Sequence, residues 1–155
     1  YLAGTHARDK DAVVTAMLIC EMAAYFKSLG KTLSDVLAEL YETYGYYYDK
    51  SLSYTLKGLE GGRRIASIME EARSLDMKSV IPETVETLDF EKGIGGLPRE
   101  NVLKYRLAGG GWFAIRPSGT EPKIKFYYSL RGRNEEEALR LFGAYRSRLE
   151  KQFGL

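Results

Sequence analysis

The feature that most constrains this chain is the alternation in Lys123–Leu130, KIKFYYSL, where Lys123 and Lys125 interleave with Ile124, Phe126 and Tyr128. A period of two sends successive side chains to opposite faces, so the segment reads as a strand with one charged and one apolar face. Similar signals surround it. Tyr47 to Lys57 reads as a strand with Leu52, Tyr54 and Leu56 on one face, and Gly61-Gly62 leads into a helix carrying Ile65, Ile68, Met69 and Ala72. Val85 to Phe90 is a short strand, Lys92 to Arg99 a glycine-rich loop, and Val102 to Leu107 and Gly111 to Arg116 are further strands. Asn134 caps a closing helix whose first turn, Glu135-Glu136-Glu137, suits its dipole. The buried stripe of that helix is Ala138, Leu141, Phe142, Tyr145, Leu149 and Phe153. The order β-α-β-β-β-α predicts an α+β domain over residues 47–155, an antiparallel sheet with both helices on one face.

Residues 1–46 follow a different grammar. From Asp11 to Leu29 nearly every helical face is apolar, with Asp9 and Asp11 at the helix start and Gly30 as its stop. A helix apolar all round is expected to be buried against a sheet or other helices. Thr32-Leu33-Ser34-Asp35 has capping-box spacing and opens a second helix with Val36, Leu37, Leu40, Tyr41 and Tyr44 as its stripe, ended by Gly45. These are expected to be the last helices of an α/β domain whose sheet lies outside the chain. The opening Tyr1-Leu2-Ala3-Gly4, without methionine, reads as the start of an excised piece.

Composition narrows function. A formal net charge of +2 does not give the field of a dedicated nucleic-acid binder, so any anion must be held by a local site. Cys20, the single cysteine, sits in an apolar helical run and reads as a buried structural thiol, in keeping with a reducing cytoplasm. No apolar run approaches the ~20 residues needed to cross a bilayer, so no membrane partner is expected.

The segment that carries chemistry is Arg116 to Lys125, RPSGTEPKIK. A phosphate needs short donors converging on its oxygens and a cation to offset its charge. Ser118 and Thr120 offer hydroxyls, Gly119 permits a close backbone approach as an anion nest, and Arg116 offers a bidentate contact. Lys125 alternates onto the charged face and reaches toward the same anion. Pro117 and Pro122 stiffen the two ends. On residue types alone a second reading stands equally: a polar hairpin whose Ser-Gly serves turn geometry.

At these residues the sequence resembles the α-D-phosphohexomutases, specifically bacterial phosphoglucomutases and phosphomannomutases. Their C-terminal domain carries a phosphate-binding loop of the form R-x-S-G-T-E-P followed by a basic strand. Arg116, Ser118, Gly119, Thr120, Glu121 and Pro122 match the loop, and Lys125 stands where relatives place a basic residue. Gly4 to Ala12 looks like the segment after the sugar-recognition loop of the third domain, with Lys10 where relatives keep an active-site lysine. The resemblance implies the end of domain three plus a TATA-box-binding-protein-like domain four. It also implies a parent enzyme interconverting glucose 1-phosphate and glucose 6-phosphate through a phosphoserine and glucose 1,6-bisphosphate. Mg²⁺ is implied on a loop outside this chain, and a small sugar phosphate as the partner, together with the missing domains one to three. The serine, metal and sugar-recognition loops are absent here, so the piece by itself is expected to be inactive. Phosphomannomutase or phosphopentomutase activity, and a non-catalytic anion-binding module, are the alternatives.

Other candidates read more plainly. His6 is expected as a capping or surface residue, and Arg8 as a surface ion pair. The tyrosines from Tyr41 to Tyr54 are expected in core and inter-domain packing, and Gly109-Gly110-Gly111 as a turn before Trp112.

Overall fold

The computed structural model describes residues 3–5 and 7–155, and divides them into two compact units, 1–44 and 45–155. In the first unit, α1 (Ala12–Ser28) is capped by Asp11, whose carboxylate accepts the Val14 amide at 3.0 Å. It stops at Gly30 (φ 74°): the Gly30 amide donates to the Lys27 carbonyl, and the Lys31 amide to Phe26. That pair of bonds is the left-handed glycine stop anticipated at this position. Helix α2 (Leu33–Tyr44) opens with a reciprocal cap, the Thr32 amide donating to Asp35 at 2.7 Å and the Asp35 amide to the Thr32 hydroxyl at 3.2 Å.

Neither helix buries a residue. Val13, Met17 and Tyr25 are more than half exposed, and Cys20 is exposed. The expectation of a buried α1 and a buried thiol is therefore corrected for this chain, in which both are exposed. Among the described residues no single helix is long and apolar enough to cross a membrane.

The second unit is the α+β sandwich the element order predicted. Five strands, β1 (Tyr46–Thr55), β2 (Thr84–Asp89), β3 (Leu103–Leu107), β4 (Trp112–Pro117) and β5 (Lys123–Gly132), form one antiparallel sheet in the order β1-β5-β4-β3-β2. The chain starts on one edge, crosses through α3 (Gly58–Ser74) to the far edge, and returns by hairpins until β5 slots beside β1. Helix α4 (Glu135–Phe153) then closes the layer.

Ile65, Ile68, Met69 and Ala72 of α3 and Ala138, Tyr145, Leu149 and Phe153 of α4 are buried against Leu103, Tyr105, Phe113, Ile115, Ile124 and Phe126 of the sheet. Both helices lie on that face: Tyr105 donates to the Ala72 carbonyl of α3, and Tyr54 to Glu150 of α4. The opposite face carries the exposed or half-buried Lys104, Trp112, Arg116, Lys125 and Tyr127 around the buried Ser129. Lys104 rests 4.2 Å over the Trp112 ring there.

One detail departs from expectation. Gly61 and Gly62 are not a lead-in to α3 but lie inside its first turns, which start at Gly58. Low helix propensity made them look like a boundary. The structure gives Gly61 a steric reason, because an added Cβ would stand 1.8 Å from the Leu56 carbonyl oxygen.

Candidate functional site

The Arg116–Lys125 segment is the hairpin joining the two central strands β4 and β5. Its geometry is fixed from both ends. The Ser118 amide donates to the Lys123 carbonyl at 2.8 Å, and the Lys123 amide to the Glu121 carbonyl at 2.7 Å. The Pro122 carbonyl accepts the Leu56 amide at 2.9 Å, which pins the loop to the end of β1. A short loop anchored to three strands holds its donors in place before any ligand arrives.

Register brings the two predicted cations together. Arg116 and Lys125 are direct cross-strand partners, so both side chains rise from the open face, and Ser53 of β1 stands opposite Lys125 in the same row. Like charges directly opposed across a sheet repel. Among the described residues neither Arg116 nor Lys125 has an ion-pair partner. Lys123 differs: its ammonium sits 2.9 Å from Glu121, and this hydrogen bond holds the Glu121 carboxyl below its ordinary range. Lys125 makes no ion pair but lies in the field of the Glu121 carboxylate, so the cation of the loop with no acidic neighbour among the described residues is Arg116.

The loop adds further donors. Among the described residues the amides of Gly119, Thr120 and Glu121 have no internal acceptor, and the hydroxyls of Ser118 and Thr120 have no partner. Gly119 is not in the left-handed region, so the alternating backbone of an anion nest is not formed here. An added Cβ at Gly119 would meet nothing within 4 Å. Nothing inside the chain therefore demands glycine at 119; what its missing side chain leaves is open space above the amides.

Lys10 belongs to the other unit. It is exposed, and both its amide and its ammonium bond Asp9 Oδ1, at 2.7 and 3.0 Å, which holds the Asp9 carboxyl below its usual range. Arg8 is exposed, and the reading of His6 falls outside the described residues. The tyrosines divide: Tyr48 packs on Phe142 at 5.2 Å and Tyr54 is half-buried, whereas Tyr44 is largely exposed. Gly110 (φ 88°) makes the turn before Trp112, and Asn134 caps α4 by accepting the Glu137 amide at 2.9 Å. Among the described residues no group of three carboxylate, imidazole or thiol side chains converges in a way that could hold a metal.

Comparison with known proteins agrees with this architecture. A phosphoglucomutase of Staphylococcus aureus (strain MSSA476) is 38% identical over 156 residues, covering 93% of this chain and 28% of the relative. One from Staphylococcus haemolyticus (strain JCSC1435) is 39% identical over 150 residues, covering 88% and 27%. This chain thus spans little more than a quarter of the relatives' length. The open form of the exocytosis-sensitive phosphoprotein pp63/parafusin, a phosphoglucomutase from Paramecium, shares the fold with a TM-score of 0.67 at 12% identity, over 96% of this chain and 28% of that one. The sequence profile described as "Phosphoglucomutase/phosphomannomutase, C-terminal domain" matches residues 63–143, more than half of the chain, from α3 through the Arg116 hairpin into α4. The chain belongs to the phosphoglucomutase/phosphomannomutase C-terminal domain family.

Proposed function

We propose that the Arg116–Lys125 hairpin binds the phosphate of a hexose phosphate, as the C-terminal part of a phosphoglucomutase that interconverts glucose 1-phosphate and glucose 6-phosphate. The observation that carries this reading is the pairing of Arg116 with Lys125 beside three amides and two hydroxyls that lack acceptors. A plain turn needs none of these. Two opposed cations cost stability unless an anion joins them, and a phosphate oxyanion has the size and charge to do so. The names of the Staphylococcus relatives favour glucose over mannose or pentose phosphates.

In this reading the hairpin holds the phosphate that is not being transferred. Because the clamp recognises a phosphate and little of the sugar, it serves either end of a bisphosphate that turns over between two half-reactions. Binding energy remote from the reacting centre then positions both orientations. Lys10 is assigned to the active site of the same parent enzyme as an exposed ammonium tied only to Asp9. The parent enzyme is placed in the cytoplasm. Mg²⁺ belongs to the proposal for the parent, with ligands outside this chain, and supplies charge stabilisation to phosphoryl transfer when bound.

The test is Arg116→Ala in the full-length enzyme. Losing a charge-assisted bidentate contact removes about 1.5–3 kcal/mol, so kcat/KM for both hexose phosphates should fall roughly 10- to 100-fold. Unchanged kinetics with either substrate would remove the hairpin from the mechanism.

A further inference from the structure

At the end of the sheet away from the hairpin, β5 finishes in Arg131 and Gly132 beside a cleft of about 480 Å³. Its floor is apolar, formed by Leu107, Leu130, Leu141 and the ring of Tyr145. The Arg131 guanidinium lies in a slot between two left-handed glycines. A Cβ on Gly45 (φ 93°) would stand 2.5 Å from Arg131 Nε, and one on Gly110 (φ 88°) 3.8 Å from a terminal guanidinium nitrogen. Glycine at 45 is required by its left-handed backbone, and it leaves room for the exposed Arg131 side chain to pass close by.

Charge balance decides what the cleft lacks. Glu137 is committed to Arg133, accepting from Nε at 2.9 Å, a terminal nitrogen at 3.1 Å and the amide at 2.8 Å. Glu83 faces the Tyr145 hydroxyl and lies 4.0 Å from Arg148. Arg131 has no ion-pair partner among the described residues, which makes it the uncompensated charge of the cleft. Its planar guanidinium offers parallel N–H donors that match a carboxylate or phosphate with two bonds.

We propose that this cleft is a second anion-binding site, in which Arg131 takes the oxyanion of a small molecule whose apolar body rests on Leu107, Leu141 and Tyr145. It is separate from the hairpin site. Arg131 and Lys125 stand six residues apart on β5, roughly 20 Å at strand rise, so the two sites respond independently.

The experiment is an NMR titration of the ¹⁵N-labelled chain with phenyl phosphate and benzoate, and with inorganic phosphate as the source lacking an apolar body. Phenyl phosphate and benzoate should shift the Gly45, Gly110 and Gly111 amides and the Arg131 Nε–H, at millimolar concentration. Inorganic phosphate should act there at least several-fold more weakly while still shifting Gly119 and Thr120. Arg131→Gln should abolish the first set and spare the second, and Arg116→Ala should do the reverse. Arg131→Lys, which keeps the charge without the fork, should weaken the first set several-fold and guards against a folding defect in the glutamine variant. Failure of the hairpin reading would appear as loss of the Gly119 and Thr120 shifts alone. Absence of shifts at Gly45 and Gly110 at 20 mM ligand, or their persistence in Arg131→Gln, would overturn the cleft proposal.

Discussion

Replacing Lys125 with threonine should make the free domain more stable while weakening its hold on phosphate. The side chain is directly opposed to Arg116 on the open face, and neither makes a salt bridge among the described residues, Glu121 acting on Lys125 only at longer range. Facing positions in an antiparallel pair put Cβ atoms about 5 Å apart, and the flexible heads splay to ~7 Å. At that distance in a water-like dielectric the repulsion is about 0.6 kcal/mol, and the Debye length of ~10 Å at 0.1 M salt does not remove it. Threonine keeps the strand preference, so the released repulsion should dominate. For a unit of about 110 residues, unfolding entropy near 0.23 kcal/mol/K turns this into a rise of roughly 2–3 °C in Tm.

Trp112, the single tryptophan, lies on the same sheet and reports the transition of this unit by fluorescence. Melts at 20 mM and 1 M NaCl should show the gain at low salt and its loss at high salt. Adding 50 mM phosphate against NaCl of equal ionic strength should reverse the ranking. A wild-type Kd of ~5 mM would supply about 1.4 kcal/mol, close to 6 °C, that the variant largely forgoes. A lower Tm for the variant at low salt, or a gain that survives 1 M NaCl, would refute the claim that these cations repel one another.

Two glycines should separate folding from binding: Gly61→Ala should cost about 3 kcal/mol by forcing Cβ into the Leu56 carbonyl, whereas Gly119→Ala should leave Tm within 1 °C yet abolish phosphate-induced stabilisation. Burial pushes the Tyr105 and Tyr128 phenols well above their ordinary pKa, so the unfolded state ionises first and stability, fully present below pH 10, should fall above it by about 1.4 kcal/mol per pH unit for each. Tyr128 Oη is buried without a partner, so Tyr128→Phe should be near neutral at pH 7. In denaturant titrations it should remove one such increment, about 1.4 kcal/mol per pH unit, from an alkaline slope to which Tyr54 and Tyr145 also contribute. Hydrogen bonds from the Arg133 guanidinium and then its amide pull Glu137 down to about 2, so its contribution should be complete above pH 4.5 and disappear as pH falls toward 2; an acid titration of Glu137→Gln should show a flatter limb.

The fold was readable where the pattern is local. The alternation in β5, the stripe of α4 and the caps at Asn134 and Thr32 each state their structure within a few residues, and all were found in place. Errors arose where a residue's reason lies far along the chain. Gly61 looked like a boundary because its constraint is the Leu56 carbonyl, and Cys20 looked buried because an apolar run does not say whether its cover is present. The candidate site divides the same way. Its residue types were visible in RPSGTEPKIK, but the direct opposition of Arg116 and Lys125 depends on the register of β4 with β5, which composition does not set. The slot around Arg131 was not legible, since it unites Gly45, Gly110 and Arg131 from three separate elements.

The turn-only reading and the anion reading of the hairpin differ in what they ask of stability. A connection selected for turn geometry would put a neutral or β-branched residue opposite Arg116, spare the repulsion, and leave no reason for glycine at a position with ordinary φ and free space around it. The chain does the opposite at both positions, while Lys123, one step from the loop, is neutralised by Glu121. Salt bridging is therefore left open at two places that face each other, with Glu121 reaching Lys125 only at longer range, and closed at the one beside them. A sheet that tolerates such local frustration on its rigid central strands, with loop amides and hydroxyls lacking internal acceptors, is organised around a group that arrives from outside.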